Sequence, residues 1–316
     1  MSASPPVKIA VLDDYQGVAL QSADWSPLKD RAEITVFGDN ITDQTALAAR
    51  LKPFDVVCVM RERTPLNAAL LAQLSNLKLL VTTGYRNASI DVAAAEAQGV
   101  KMGYTGSTSH APTEMAWALI LAAMRSIPTE VAAMRSGAWQ STVGTDLNGA
   151  TLGLVGLGKT GSAMAKIARA FEMNVVAWSQ NLTPERAAEA GAVAVSKEEL
   201  FKQADIVSLH LILSERSLGI VGAPELAAMK PSAWIVNTSR GPLIDKPSLI
   251  KALQTKQIAG AALDVYDIEP VPADDPLRRL PNALVTPHLG FVTRKTYAIM
   301  YGGVVKAITA WLDGQS

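Results

Sequence analysis

The sequence is poor in the features that mark secreted, membrane and nucleic-acid-binding proteins. Its 316 residues include one cysteine, Cys58, which cannot form an internal disulfide. The 29 basic residues balance the 29 acidic ones, so the formal net charge is +0 and no basic footprint for nucleic acid is visible. No apolar run approaches the ~20 residues that span a bilayer, and the first residues lack a signal-peptide pattern. These absences predict a cytoplasmic protein with no nucleic-acid or membrane partner.

What the sequence does contain is an alternation of short apolar runs with alanine-rich segments of helical period. Apolar runs this continuous are typical of strands that are covered on both faces, and therefore of parallel sheets with crossover helices. At roughly 150 residues per domain, the length favours two domains. The sequence thus predicts an α/β protein with two doubly wound parallel-sheet domains and a cleft between them. The runs are VKIAVLDD, EITVFG, DVVCVM, LKLLVTTG and VKMGYT, then TLGLVGLG, NVVAWSQ, IVSLHLIL, AWIVNTS, IAGAALDV and NALVTPH.

A glycine-rich stretch, TLGLVGLGKTGSAMAKIARAF, joins one of these strand patterns to a helix pattern. In a G-x-G-x-x-G turn, the first glycine (Gly156) makes the turn, the second (Gly158) lets backbone approach a pyrophosphate, and the third (Gly161) lets helix pack on strand. The helix start at Lys159 and Thr160 adds free N–H groups and a positive dipole end. The stretch therefore predicts a dinucleotide site, although such turns also occur without ligands.

The choice between NAD(H) and NADP(H) is open. The motif predicts an acidic residue about 20 positions further on, but the next strand, NVVAWSQN, ends in Ser179, Gln180 and Asn181. Without a carboxylate, a 2′-phosphate is not repelled. However, no arginine closely follows Ser179 to bind one, since the nearest downstream is Arg186. This slightly favours NAD(H).

Polar residues at the ends of later strands could do chemistry. Arg240 follows AWIVNTS, Asp264 and Glu269 lie in AALDVYDIEP, and His288 follows NALVTP. Ligands bind at the carboxyl ends of strands in such sheets. An arginine fork suits a carboxylate, and histidine suits proton transfer near neutral pH. Arg240, Glu269 and His288 have structural alternatives as a helix cap, a turn carboxylate and a loop histidine. His210, within an apolar strand, is expected to be structural or to lie next to the cofactor.

Taken in order, the motifs GLVGLGKTGSAMAKIARAF, VNTSRGPLID, AALDVYDIEP and LVTPHLG resemble those of the D-isomer-specific 2-hydroxyacid dehydrogenases. The resemblance implies hydride transfer between a nicotinamide cofactor and a small 2-keto acid, giving a D-2-hydroxy acid. It makes Arg240 the residue that binds the substrate's carboxylate and keto oxygen. His288 becomes the acid/base, and Glu269 its partner.

The same resemblance assigns further binding residues. Asp264 would hold the nicotinamide carboxamide, in a pocket that includes Thr238 and Gly290. The loop VTTGYRNASID would receive the substrate carboxylate on backbone N–H groups near Gly84 and Tyr85. No metal site is expected.

The family also implies a discontinuous layout. Residues 1–101 and 288–316 would form the substrate domain, and residues 102–287 a Rossmann-like dinucleotide-binding domain. Residues 113–137, a helical pattern interrupted by Pro128, match the arm through which family members form homodimers. From composition alone, a core helix between the two domains is an equal alternative for this segment.

Two alternative functions stay open on sequence alone. One is a nucleotide-sensing binding protein similar to the transcriptional corepressors that resemble this family. The other is phosphoglycerate dehydrogenase. The particular 2-hydroxy acid is not assigned by the sequence.

Overall fold

The computed structural model describes residues 5–314, which form two parallel β-sheets flanked by helices and confirm the predicted α/β class. The strands in this part of the chain are β1 (Val7–Val11), β2 (Ala32–Val36), β3 (Val56–Val59), β4 (Leu79–Thr82), β5 (Lys101–Tyr104), β6 (Thr151–Val155), β7 (Asn174–Trp178), β8 (Val193–Ala194), β9 (Ile206–Leu209), β10 (Trp234–Asn237), β11 (Gly260–Leu263) and β12 (Ala283–Val285). The α-helices are α1 (Gln44–Leu51), α2 (Ala68–Leu71), α3 (Val92–Ala97), α4 (Ala111–Met124), α5 (Ile127–Arg135), α6 (Lys159–Ala170), α7 (Pro184–Glu189), α8 (Lys197–Gln203), α9 (Ala223–Ala228), α10 (Lys246–Gln254) and α11 (Arg294–Leu312).

The chain divides into two compact units. Unit 1 ends at Thr108 and resumes at Val292, and unit 2 runs from Ser109 to Phe291. The domain boundaries predicted at 101/102 and 287/288 therefore lie several residues away from the observed ones. Hydrogen bonding explains both differences. Strand β5 pairs with β4 and therefore belongs to unit 1. The turn after β12 belongs to unit 2, because Gly290 N–H in that turn donates to Asp264.

Unit 1 holds a five-stranded sheet in the order β2-β1-β3-β4-β5, in which every pairing is parallel. The chain leaves β1 for β2 on one side and returns to β3 on the other, which places the topological switch point between β1 and β3. The central strands β3 and β4 are buried along their length, because they consist of apolar side chains and one threonine. Burial raises the pKa of the Cys58 thiol in β3, which fits its expected inert role.

Unit 2 holds a seven-stranded parallel sheet in the order β12-β11-β10-β9-β6-β7-β8. Its switch point lies between β6 and β9. Helices α4 and α6 contribute to the core cluster on one face, and α8 and α10 contribute to the cluster on the other face. The predicted strands of this unit are present. The two-residue β8 was not predicted, because so short a strand carries no periodic pattern.

The helical segment predicted over residues 113–137 forms two helices, α4 and α5, whose axes differ by 61°. The break lies at Ser126, which adopts the left-handed conformation at φ 50°, and not at Pro128. Pro128 stands in the first turn of α5, where its ring is tolerated. Within residues 5–314, no single helix is long and apolar enough to cross a membrane, although the bent α4–α5 pair together meets the length and composition test.

Candidate active site

The glycine turn after β6 lies at the switch point of unit 2, and its three glycines meet different surroundings. Gly156 has φ 102°, and a Cβ there would lie 2.6 Å from the His210 carbonyl oxygen after β9. A Cβ at Gly161 would lie 2.2 Å from the Gly156 carbonyl oxygen. At Gly158, by contrast, a Cβ would meet no described atom within 4 Å. Two glycines are thus required by the packing of the protein, whereas the third leaves room beside the start of α6.

The turn after β7 contains Ser179, Gln180 and Asn181, and Leu182 N–H donates to the Ser179 carbonyl oxygen at 3.0 Å. Lys197 places its ammonium over the ring of Trp178, the last residue of β7, at 5.8 Å from the ring centroid. The same ammonium pairs with Glu225 at 2.8 Å. The sequence analysis did not single out this cation, because 18 positions and a further strand separate Lys197 from Ser179 in the chain.

Strands β10, β11 and β12 are neighbours in one parallel sheet, so their carboxyl ends lie at one edge. Arg240 follows β10, Asp264 and Glu269 follow β11, and His288 follows β12. The structure therefore brings the four predicted residues to one edge of unit 2. Thr238 lies at the same edge, directly after β10.

The Arg240 loop is fixed by Asn237, a buried amide at the end of β10. Its Nδ2 donates to the Arg240 carbonyl oxygen at 2.8 Å, and its Oδ1 accepts from Ser239 N–H at 3.0 Å. The Ser239 hydroxyl donates to the Leu209 carbonyl oxygen at 2.7 Å. The Arg240 guanidinium also donates to the Ser239 carbonyl oxygen at 2.7 Å. Asn237 thus holds the backbone from which Arg240 projects, a role that the sequence analysis missed.

Gly241 explains why this loop can lie against the next one. A Cβ at Gly241 would lie 2.1 Å from the carbonyl carbon of Tyr266 and 2.6 Å from the nitrogen of Asp267. No side chain fits into that space. The only sequence signal for this close approach is the glycine that follows the arginine.

His288 and Glu269 form a hydrogen-bonded pair. Nδ1 of His288 lies 2.5 Å from Oε2 of Glu269, and the side chains are 19% and 24% exposed. The other carboxylate oxygen of Glu269 accepts from Tyr266 N–H at 2.9 Å. The edge of the imidazole ring packs against Phe291, with the ring centroids 5.5 Å apart. Because Nδ1 is engaged by Glu269, Nε2 is the nitrogen that can exchange a proton with another molecule.

Asp264 holds the turn that carries His288, which has the uncommon left-handed φ of 52°. One carboxylate oxygen accepts from the Thr286 hydroxyl at 2.6 Å and from Leu289 N–H at 2.8 Å. The other accepts from Gly290 N–H at 2.7 Å. Burial raises the pKa of Asp264, and these three bonds oppose that effect. The sequence analysis missed this bracing of the His288 turn.

The Gly84 loop lies in unit 1, and its glycine meets a close neighbour. Gly84 N–H donates to the Thr105 hydroxyl at 2.8 Å. A Cβ at Gly84, which has φ 99°, would lie 2.2 Å from Nη1 of Arg61. The glycine therefore makes room for a guanidinium. The binding roles of the N–H groups near Gly84 and Tyr85 stay predictions.

His210 is a further histidine of unit 2, and its Nε2 lies 2.9 Å from the Ser208 hydroxyl. Burial lowers the pKa of His210 to about 4, so the ring is neutral at pH 7. Among residues 5–314, no group of three or more His, Cys, Asp or Glu side chains is arranged to hold a metal ion.

Comparison with known proteins identifies the family. Residues 117–290 match the model of the D-isomer specific 2-hydroxyacid dehydrogenase NAD-binding domain. The glyoxylate reductase of Thermococcus litoralis is 37% identical over 258 residues, which cover 78% of this chain and 77% of that protein. The crystal structure of a phosphoglycerate oxidoreductase from Vibrio cholerae o395 superposes with a TM-score of 0.93 at 39% identity, covering 98% of this chain and 99% of that one.

A further relative is longer than this chain. The D-3-phosphoglycerate dehydrogenase of Archaeoglobus fulgidus is 34% identical over 240 residues, which cover 75% of this chain and 46% of that protein. The chain thus spans about half the length of the phosphoglycerate dehydrogenases that it matches. Together, the motifs, the two sheets and these matches show that the chain is an NAD-binding oxidoreductase that belongs to the D-isomer specific 2-hydroxyacid dehydrogenase family.

Proposed function

We propose that the protein reduces glyoxylate and hydroxypyruvate to the corresponding 2-hydroxy acids, with His288 as the acid/base. The observation that carries this proposal is the Glu269–His288 pair, held at 2.5 Å at the sheet edge that also carries Arg240 and Asp264. A general acid must be oriented as well as charged, and here both a carboxylate and a braced turn orient the ring.

Each residue then has a defined task. A bound nicotinamide cofactor supplies or accepts the hydride at the substrate carbon. The Arg240 guanidinium binds the keto oxygen and the carboxylate of the substrate through its planar fork. Nε2 of His288 donates a proton to the keto oxygen during reduction and takes it back during oxidation. Glu269 binds Nδ1 of His288 and so fixes the orientation of the ring.

The cofactor proposal rests on the glycine turn. The open surroundings of Gly158, at the start of α6 and at the switch point of the sheet, suit a pyrophosphate. Lys159 and Thr160 begin the helix there, and Ser179 lies where the adenosine ribose is expected. We favour NAD(H), because no arginine closely follows Ser179. Asp264 offers the nicotinamide carboxamide one further acceptor position, since a carboxylate has about four lone-pair sites and three are used.

The resemblance also assigns the backbone N–H groups near Gly84 and Tyr85 to the substrate carboxylate. Gly84 N–H donates to the Thr105 hydroxyl at 2.8 Å, so a bound carboxylate would have to compete with that hydroxyl for it.

We also propose that the chain is a cytoplasmic homodimer that pairs through residues 113–137. Large apolar side chains are exposed on α5, including Ile127 at 49%, Val131 at 42% and Met134 at 60%. A contiguous exposed apolar face of this kind is typical of a protein interface. The buried, unpaired Cys58 fits a reducing compartment.

Phosphoglycerate dehydrogenase is the second candidate, favoured by the names of several relatives. The corepressor alternative is not supported, since these relatives are named as reductases and dehydrogenases. The test is the initial rate of NADH and, separately, NADPH oxidation with glyoxylate, hydroxypyruvate and 3-phosphohydroxypyruvate. Turnover of the first two acids supports the proposal. A rate that is appreciable only with the phosphorylated acid would favour the second candidate, and no turnover of any would contradict both.

A further inference from the structure

Tyr266, which follows β11 in unit 2, is not one of the residues assigned to binding or catalysis. Its hydroxyl donates to the Thr286 carbonyl oxygen at 2.8 Å, directly after β12, and lies 3.2 Å from the Leu263 carbonyl oxygen. A phenol has one proton to donate, so the shorter contact is the main hydrogen bond. The side chain therefore links the segment after β11 to the segment after β12.

The Thr286 carbonyl oxygen also belongs to the turn that carries His288. It accepts from His288 N–H at 3.0 Å. Because a carbonyl oxygen has two lone pairs, it can accept from the Tyr266 hydroxyl at the same time. Asp264 holds the end of this turn through Gly290 N–H. The Tyr266 hydroxyl thus fixes the start of the turn, and Asp264 fixes its end.

The backbone of Tyr266 contacts the other member of the Glu269–His288 pair. Its N–H donates to Oε1 of Glu269 at 2.9 Å, while Oε2 of Glu269 is bound to Nδ1 of His288. One residue thus holds the carboxylate with its backbone and the histidine turn with its side chain. The position of Tyr266 therefore helps to set the separation of Glu269 and His288.

The Arg240 loop packs against the same residue. A Cβ at Gly241 would lie 2.1 Å from the carbonyl carbon of Tyr266 and 2.5 Å from its carbonyl oxygen, so the two backbones are in direct contact. Tyr266 is therefore a point at which the segments that carry Arg240, Glu269 and His288 meet.

The segment that carries Glu269 depends on its anchors, because little of it is covered. Every residue between Tyr266 and Asp275 is exposed or partly exposed, whereas Asp275 is buried. The Asp275 carboxylate pairs with the Lys246 ammonium and accepts from Leu277 N–H at 3.0 Å. The segment is thus held at Tyr266 on one side of Glu269 and at Asp275 on the other.

The Tyr266 hydroxyl keeps its proton at neutral pH. Burial raises the pKa of Tyr266 well above its ordinary value, and the Asp264 carboxylate adds to that effect. The phenol therefore stays a donor to Thr286, and it brings no further negative charge to the neighbourhood of Glu269.

We propose that Tyr266 is a positioning residue, whose hydroxyl keeps the His288 turn in register with Glu269. The inference rests on the proposed function, in which His288 transfers the proton. Without the hydroxyl, the turn loses the tie at its start, and Nε2 of His288 is aligned less well with the keto oxygen. Misalignment of a reacting group lowers turnover even where every binding group is retained.

The first variant is Tyr266→Phe, which removes the hydroxyl and keeps the ring and the backbone N–H. We expect kcat with glyoxylate to fall about fivefold, the equivalent of one hydrogen bond, while KM and the Kd for NADH stay within about twofold. Thr255→Val is the matched control, because its hydroxyl also donates to a backbone carbonyl oxygen of unit 2, that of Lys251 at 2.9 Å. The control should change none of the three values.

A second comparison distinguishes positioning from a general loss of structure. In a Glu269→Ala background, the carboxylate that the hydroxyl holds in register is gone, so Tyr266→Phe should lower the residual kcat by less than about twofold. A residue that merely stabilised the fold would lower kcat by the same factor in both backgrounds.

The outcomes separate this inference from the proposed function. If the unmodified protein turns over neither glyoxylate nor hydroxypyruvate, the proposed function fails and the inference fails with it. If the unmodified protein is active, an unchanged kcat in Tyr266→Phe overturns the inference alone. An equal fall of kcat in both backgrounds, or a rise in KM and Kd that matches the fall in kcat, would overturn it as well.

Discussion

The turns at the two switch points of the molecule consist of different kinds of residue. In unit 2, between β6 and β9, the turn is made of glycines that pack backbone against backbone, as Gly156 does against His210. In unit 1, between β1 and β3, bulky polar residues such as Asp13 and Arg61 adopt left-handed conformations, and a buried network fixes them. A turn of glycines leaves backbone N–H groups open to an anion, whereas a turn of bulky residues needs a buried network to hold its uncommon backbone conformations.

Gly156→Ala should have the largest effect on the turn in unit 2. The new Cβ would lie 2.6 Å from the His210 carbonyl oxygen at a φ of 102°, so both contact and backbone are strained. We expect a loss of about 3 kcal/mol or more in the free energy of unfolding and no measurable dinucleotide binding. Urea denaturation and cofactor titration check this. An unchanged unfolding midpoint would show that the turn tolerates a side chain.

Gly158→Ala should weaken cofactor binding without affecting folding. The added methyl meets no described atom within 4 Å, so the thermal unfolding midpoint should move by no more than about 1 °C. The methyl would occupy the space that we assign to the pyrophosphate. The Kd for NADH should therefore rise about 100-fold. Calorimetric titration measures it, and an unaltered Kd would move the dinucleotide away from this turn.

Asp13→Ala tests the other switch point. It leaves the buried Thr64 hydroxyl without its acceptor and removes the shortest of the hydrogen bonds that Asn40 Nδ2 donates, which should lower the free energy of unfolding by about 2 kcal/mol. Asp24→Ala, at an exposed aspartate of unit 1, is the control and should cost much less. The measurement is urea denaturation of both variants. Equal costs would mean that the Asp13 network does not stabilise unit 1.

The smallest effect concerns His210, next to the glycine turn. Its folded pKa of about 4 lies below the unfolded value of about 6.5, so the unfolded state binds more protons between these values. Stability should therefore fall as the pH drops from about 6.5 towards 4, by about 1–2 kcal/mol from this residue. In His210→Asn this part of the decline should disappear. The measurement is the urea midpoint of the unmodified protein and of His210→Asn at pH 7.5 and at pH 5. An equal decline of the midpoint in the two proteins would argue against a role of His210 in this pH dependence.

Much of the fold could be predicted from the sequence, because buried parallel strands leave continuous apolar runs. TLGLVGLG and VKMGYT both contain strands where expected. Strand β8 was not predicted, because its two residues, Val193 and Ala194, are too few to form a pattern. The unit boundaries were displaced because they depend on which strand a segment pairs with, and pairing partners are distant in the chain.

The site was predictable to the level of residue type and sheet edge. Arg240, Glu269 and His288 were expected at strand ends and lie there. The details came only from the structure, since they join positions far apart in sequence. The bond from Gly84 to Thr105 spans 21 residues, and the bond from Gly290 to Asp264 spans 26. No local pattern encodes such pairs.

In the proposed reaction, His288 transfers the proton while Glu269 holds its ring. The kcat of His288→Gln with glyoxylate, measured together with its Kd for NADH, tests this role. We expect kcat to fall by about two to four powers of ten, the usual contribution of a general acid, while the Kd stays within about twofold. A kcat near that of the unmodified protein would contradict this role.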